Sequence, residues 1–115
     1  MQTSGLIALK KRADYLKAAA GMRRSTPGFV LQIRDRGAEE PESVRVGITC
    51  SKKVGNAVAR NRAKRRLREV ARMILPEHGR NGFDYVLIGR RQETASRDFA
   101  TMLEDLRHAL AEVHK

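Results

Sequence analysis

The stretch AVARNRAKRRLREVAR, residues 57–72, combines a helix pattern with a dense basic charge. Asn56, just before it, is a residue type that often caps a helix N-terminus. Apolar residues then recur at the i, i+4, i+7, i+8, i+11 spacing of a single helix face: Ala63, Leu67, Val70, Ala71 and Ile74. The stretch therefore predicts a helix that begins at Ala57 and packs one face on a sheet.

Basic residues fill the remaining circumference of that helix. Seven Arg and Lys lie between Arg60 and Arg72, and Glu69 is the only acid among them. Like charges at i and i+4 repel each other on a helix, and acids at those spacings would remove the cost. Because Glu69 is the only acid at such a spacing, the pattern favours a surface that binds a polyanion over an ordinary solvated face.

The loop before the helix predicts an anion site. In SKKVG, residues 51–55, Lys52 and Lys53 precede Gly55, where a phosphate can approach the backbone closely. The helix N-terminus adds partial positive charge and free N–H groups. The G-x-x-x-x-G-K pattern is missing, so a nucleoside triphosphate is not indicated.

The composition of the whole chain agrees with a nucleic-acid partner. Its 115 residues, 41% of them apolar, predict one domain over residues 1–115, with residues 1–8 flexible. The 24 Lys and Arg against 13 Asp and Glu give a net charge of +11, which favours nucleic acid over an acidic membrane surface. No stretch is long and apolar enough to span a membrane, and the single Cys50 excludes an internal disulfide. We therefore expect a cytoplasmic protein with no membrane partner.

The segments before the basic helix predict one helix and two strands. FVLQIRD, residues 29–35, and VRVGITC, residues 44–50, alternate apolar and polar positions as half-buried strands do. We expect these strands to pair as an antiparallel hairpin. A first helix is expected over residues 9–20, with an apolar stripe at Leu9, Ala13, Leu16 and Ala20.

A strand and another helix are predicted after the basic helix. Pro76 is expected to stop the basic helix, and FDYVLIG, residues 83–89, is typical of a strand covered on both faces. The order helix, strand, strand, basic helix, strand, helix predicts a small α+β domain with helices on a small sheet. The last helix is expected to begin near Ser96, with an apolar stripe at Phe99, Met102, Leu103, Leu106, Leu110 and Val113.

The charge pattern alone leaves other functions to weigh. A two-metal nuclease needs converging carboxylates, and the segment from Ser43 to Arg68 has none, while His78, His108 and His114 are scattered and expected to be solvated. A DNA-binding protein would present its basic helix through a clear helix-turn-helix or through dimer heptads, and this sequence shows neither pattern. A general or ribosome-associated RNA-binding protein would share the charge and the size, and it stays an alternative.

The run SKKVGNAVARNRAKRRLRE, residues 51–69, closely resembles the signature of the bacterial ribonuclease P protein subunit family. That signature has a lysine loop and G-x-A-V, followed by R-N-R and further basic residues. LKKRADY, FVL, RVGITCSKK and FDYVLIGR resemble the family's first helix, first strand, second strand with its loop, and last strand. The resemblance implies a ribosomal protein S5 domain 2-like α+β fold, with a left-handed strand–helix–strand crossover and a fourth short strand that no pattern here locates.

The resemblance also implies a function. The family joins a catalytic RNA and assists removal of the 5′ leader from precursor tRNA, so the expected partners are the RNA subunit of ribonuclease P and precursor tRNA, with no protein partner required. No residue of this chain is expected to be catalytic or to bind a metal or other cofactor, and the holoenzyme is expected to use Mg²⁺ through its RNA. The residues that match RNA-subunit contacts are Lys53, Arg60, Asn61, Arg62, Lys64, Arg65 and Arg68.

A cleft between the first helix and the exposed sheet face is expected to hold the leader. Tyr15 would stack on a base, and small residues such as Gly47 would leave room for a single strand. The family often has further aromatics where this chain has Ala19 and Gln32, which predicts a weaker or differently tuned grip. The residues expected in this leader cleft are Arg12, Tyr15, Gln32, Arg34, Arg45, Thr49, Ser51 and Lys52.

Overall fold

The computed structural model describes residues 6–37 and 43–115. Its strands form one mixed sheet in the order β1-β4-β5-β3-β2, and helices cover both faces, which confirms the predicted α+β class. The strands are β1 (Leu6–Ala8), β2 (Met22–Ser25), β3 (Phe29–Asp35), β4 (Val44–Thr49) and β5 (Phe83–Gly89). The helices are α1 (Arg12–Ala19), α2 (Ala57–His78), the short α3 (Glu93–Ser96) and α4 (Phe99–Val113).

The predicted hairpin between β3 and β4 is wrong, because β5 lies between them. β5 pairs antiparallel with β3 and parallel with β4, so that Tyr85 is opposite Ile33 on one side and Val46 on the other. The physical reason is that β5 is largely apolar on both faces, and the centre of a sheet is where both faces of such a strand are buried most completely. Part of the polar segment between β3 and β4, residues 38–42, lies outside the described residues.

Two edge strands escaped the sequence patterns. β1 pairs parallel with β4 at residues 6–8, which were expected to be flexible, while residues 1–5 of that segment lie outside the described residues. β2 pairs antiparallel with β3, and all four of its residues are exposed, so it has no apolar alternation to detect. The unit β4-α2-β5 is the parallel strand–helix–strand arrangement that the resemblance implied. Its left-handed sense stays a prediction.

The main core lies between the sheet and the two long helices. Phe29, Leu31, Tyr85 and Leu87 of the sheet meet the apolar faces of α2 and α4. The predicted core face of α2 is confirmed, because the following residues are all buried: Ala63, Leu67, Val70, Ala71 and Ile74.

The bounds of all three predicted helices differ from the sequence prediction, and α1 begins at Arg12 instead of Leu9. α2 continues through Pro76 to His78, and the backbone N–H of Gly79 closes it on the carbonyl of Leu75. α4 begins at Phe99 and is capped by Asp98, whose carboxylate accepts from the Thr101 N–H at 3.1 Å. Ser96, the expected cap, belongs to α3.

α1 packs on the sheet through a face other than the predicted stripe. Ala18 is fully buried and Tyr15 is half-buried, whereas Leu16 is 56% exposed. The Tyr15 ring fills the space above Gly47, since a Cβ at Gly47 would lie 2.6 Å from that ring. The absence of a side chain at Gly47 therefore allows α1 to pack closely on the sheet. The Tyr15 ring fills the space above Gly47 that was expected to be open to RNA.

A buried ion network centred on Asp84 of β5 also joins α1 to the sheet. The Asp84 carboxylate is fully buried and accepts from Arg36 Nη1 at 2.6 Å and from Arg45 Nε at 2.7 Å. Asp14 of α1 reaches Arg45 at 3.4 Å and Arg34 at 4.0 Å. Burial alone would raise the pKa of Asp84, but the hydrogen bonds from Arg45 and Arg36 outweigh it, and the pKa is lowered.

His114 is not the solvated residue that the sequence suggested. Its Nε2 lies 2.6 Å from the Tyr85 hydroxyl, and its ring meets Phe83 edge-on at 4.7 Å between centroids. The Arg80 N–H donates to the same hydroxyl, and the direction of the Tyr85–His114 hydrogen bond follows the tautomer of the imidazole. Burial and the nearby Arg80 lower the pKa of His114, and burial raises the pKa of Tyr85 to about 12.

Replacing Asp84 with Ala should destabilise the fold strongly. The buried Arg36 guanidinium would lose its carboxylate, which typically costs about 3–5 kcal/mol of the free energy of unfolding. Urea unfolding followed by circular dichroism measures the loss. The control is Glu69→Ala, which breaks an exposed pair with Arg72 and should leave the unfolding midpoint unchanged. Equal midpoints for the two variants would contradict this role of Asp84.

The same carboxylate should make stability depend on acid. The pKa of Asp84 is lower in the folded chain than its ordinary value of about 3.9. Its contribution is therefore fully present above that ordinary value and is lost as the pH falls through the folded pKa. Asp84→Asn should remove this part of the pH dependence, which urea midpoints measured over a series of acidic pH values would show.

Candidate RNA-binding surfaces

The predicted RNA-subunit contacts lie together on α2 and the turn before it. We call them the basic surface, and their positions follow from the apolar face of α2, which is fixed on the sheet and turns the other side outward. Arg60 and Lys64 are half-buried. The remaining members are exposed: Lys53, Asn61, Arg62, Arg65 and Arg68.

Local hydrogen bonds fix the entrance to α2. The Asn56 side chain accepts from the Ala59 N–H at 2.9 Å, which confirms the predicted cap. Ser51 Oγ accepts from the Lys53 N–H at 3.2 Å, and Arg60 Nη1 donates to the Gly55 carbonyl at 2.9 Å. Gly55 has a φ of +146°, a conformation that favours glycine. Arg60 thus holds the turn in place as well as contributing charge.

The charges of the basic surface have no counterion among the described carboxylates. Among residues 6–37 and 43–115, no carboxylate forms an ion pair with Lys53, Arg60, Arg62, Lys64, Arg65 or Arg68.

Two other arginines of α2 are engaged within the protein. Arg72 pairs with Glu69 at 2.8 Å. Arg66 donates to the Arg97 carbonyl and lies 5.7 Å from the centre of the Phe99 ring, so it faces the α3–α4 side. The surface available to a polyanion is therefore narrower than the charge run in the sequence.

Some residues of the predicted leader cleft come together. Arg12, Tyr15 and Thr49 line a cavity of about 390 Å³ with Lys10. Ser51 lines a second cavity of about 790 Å³, next to Lys53. Lys52 is exposed on the single-turn helix Lys52–Val54.

The other predicted cleft residues are largely covered. The Arg34 and Arg45 side chains are 14% and 17% exposed and face Asp84 and Asp14. Gln32 is buried. In this structure these side chains are packed within the protein at the base of the cleft. Their direct contact with RNA stays a prediction.

The second cavity also contains residues that sequence reasoning missed. Arg23 was missed because β2 has no strand pattern, whereas Arg90 and Arg91 directly follow the recognisable β5 and could have been found from their charge. Arg90 Nε donates to the Thr26 carbonyl at 2.8 Å, which fixes its side chain.

The chemistry that these surfaces support is binding of polyanions. No group of three or more His, Cys, Asp or Glu that could hold a metal ion occurs in the part of the chain that the structure describes. Cys50 is half-buried against the core, and burial raises the pKa of its thiol, which suits a packing residue. None of the described helices has the length and apolar character that a membrane crossing requires.

Comparisons with known proteins agree with this arrangement. A family model described as Ribonuclease P matches residues 6–114. The ribonuclease P protein component of Ruegeria pomeroyi is 60% identical over 112 residues, which cover 97% of this chain and 90% of that protein. The ribonuclease P protein component of Paramagnetospirillum magneticum is 49% identical over 108 residues, with 91% and 80% covered.

A solved structure extends the agreement to the fold. The RNase P protein from Thermotoga maritima superimposes with a TM-score of 0.73 at 31% identity, covering 92% of this chain and 96% of that one. These matches give no support to a general RNA-binding protein of another family. With a family model that spans nearly all of its residues and a relative of 60% identity, the chain belongs to the ribonuclease P protein family.

Proposed function

We propose that this chain binds the catalytic RNA of ribonuclease P through the basic surface and the 5′ leader of precursor tRNA through the leader cleft. Membership of the family makes it a subunit of a tRNA-processing endoribonuclease. The division of labour between RNA and protein is our proposal, as is the cytoplasmic location.

The observation that carries the proposal is the set of cations on α2 that form no ion pair with a carboxylate of residues 6–37 or 43–115. A helix anchored by its buried face holds these side chains at fixed positions, and no acid in the described part of the chain neutralises their charge. The planar guanidinium group of arginine can donate two parallel hydrogen bonds to the oxygens of one phosphate. A folded RNA with closely spaced phosphates is the partner that this arrangement fits best.

We assign the chemistry of cleavage to the RNA subunit. The two carboxylates of the ion network between α1 and the sheet, Asp14 and Asp84, are each held by arginines, so neither is placed as a general base. Mg²⁺, bound through the RNA, would supply the charge that stabilises the reacting phosphate. The protein's net charge of +11 offsets repulsion between RNA subunit and substrate, which lowers the Mg²⁺ concentration that the RNA needs.

Processing of precursor tRNA at low Mg²⁺ tests this function. The RNA subunit is assayed alone and with this protein, and the protein is assayed alone. We expect the protein to stimulate the RNA, whereas a general RNA-binding protein would not. Cleavage by the protein alone would overturn the division of labour.

Arg65→Ala and Arg68→Ala should each weaken assembly with the RNA subunit while the fold stays intact. Both side chains are exposed, so each substitution removes a cation without opening the core. The slope of log affinity against log salt should become shallower by about 0.7–0.9 for each phosphate that the variant no longer neutralises. Fluorescence titrations over a series of salt concentrations measure the slope. Arg107→Ala on α4, whose side chain pairs with Glu104, is the control and should leave the slope unchanged.

Tyr15→Ala should weaken binding of precursor tRNA by the holoenzyme and leave mature tRNA unaffected. Stacking of one base on an aromatic ring contributes about 1–3 kcal/mol, and the Tyr15 ring lines the cleft. Tyr15→Phe keeps the ring and should bind like the wild type. Equal weakening of precursor and mature tRNA by Tyr15→Ala would show that this residue does not contact the leader.

A further inference from the structure

A row of side chains crosses the sheet beside α1 and joins the two cavities. Cross-strand pairing places Thr49, Ile88, Val30 and Ser25 in line across β4, β5, β3 and β2. Thr49 lines the cavity at Tyr15, whereas Val30 and Ile88 line the larger cavity. With strands about 4.8 Å apart, the row is about 14 Å long. The leader cleft therefore continues as a groove from Tyr15 to the edge strand β2.

The groove has the chemistry of a single-stranded RNA site. Its floor is apolar, from Val30 and Ile88, and its rim is cationic. The rim cations come from three separate segments: Arg23 on β2, Lys53 before α2, and Arg90 and Arg91 after β5. Among the described residues, Glu93 is the only acid that lines the same cavity. Bases can cover an apolar floor while phosphates face the cations.

Arg23 is the residue of the rim best placed to contact a base. No aromatic side chain lines the larger cavity, and Gln32, the neighbour of Arg23 across the β2–β3 pair, is buried. Arg23 itself is exposed, and it has no ion-pair partner among the residues that the structure describes. Its planar guanidinium can stack on a base and hydrogen-bond a phosphate, which an aromatic ring cannot do together.

The opposite rim is held rigidly. The Arg90 N–H donates to Thr94 Oγ1 at 2.7 Å, and its Nε donates to the Thr26 carbonyl. A tight turn follows, in which the Glu93 N–H reaches the Arg91 carbonyl at 2.7 Å and Gln92 takes a φ of +66°. Positive φ is unfavourable for a residue with a side chain, and such strain is often found at binding sites.

We propose that Arg23 binds a second nucleotide of the leader, besides the one at Tyr15, and so extends the leader's footprint to the sheet edge. The inference rests on the proposed function and deepens it. It assigns this second leader contact to an arginine on β2.

The test compares precursor tRNAs that differ only in leader length. Holoenzyme is reconstituted from the RNA subunit and wild-type, Arg23→Ala or Arg23→Lys protein, and equilibrium binding is measured. We expect Arg23→Ala to lose about tenfold in affinity for a leader long enough to cross the sheet, the size of one stacking contact. A single-nucleotide leader and mature tRNA should bind as they do to the wild type. Arg23→Lys keeps the charge and should recover only part of the loss.

Arg24→Ala is the matched control. Arg24 is the next residue of the same strand and has the same charge, but its side chain points to the other face and bonds Glu112 at 2.8 Å. It should bind every substrate like the wild type. A loss in Arg23→Ala that is independent of leader length, or full recovery by Arg23→Lys, would overturn the proposal. If Tyr15→Ala shows the leader effect and Arg23→Ala does not, this inference alone fails; if the wild-type protein adds no leader-dependent affinity to the RNA, the proposed function fails.

Discussion

The carboxylate of Asp84 is the constraint on which the leader cleft depends. It lies fully buried near the start of the central strand, where an isolated charge would be very unfavourable, and it stays ionised because Arg45 of β4 and Arg36, just after β3, donate to it. Asp14 of α1 joins the same group of arginines. The network therefore fixes the position of α1 over the sheet. The position of the Tyr15 ring is fixed with it, because the ring packs over Gly47, which has no side chain.

The molecule separates its cations into two populations. Arg34, Arg36 and Arg45 are covered and face carboxylates, so their charge serves largely to hold strands and helix in register. The cations of the basic surface and of Arg23 are mostly exposed, and no ion pair to a described carboxylate neutralises them. Net charge alone does not distinguish these roles. Burial and counterions do, and they indicate which side chains remain for RNA.

Strong periodicity was a good guide to this fold, and weak or short signals were not. The core face of α2 and the doubly buried β5 were predictable because many residues repeat one pattern. The pairing of β3 with β4 was not, since neighbours in a sheet are chosen by burial across the whole sheet. The face of α1 depended on Gly47 and Asp84, which are distant in sequence. In the candidate sites, the exposed α2 cations followed from helix geometry, whereas Arg23 required knowledge of β2.

The central place of β5 also affects how the chain folds during synthesis. β3 and β4 are made well before β5, but they do not touch as neighbours, so the sheet cannot close until residues 83–89 have left the ribosome. Until then the arginines of α2 have been synthesised, but the helix has no complete sheet on which to pack its apolar face. Such a topology has a high contact order, which slows folding and prolongs the time for which a nascent chain is open to aggregation.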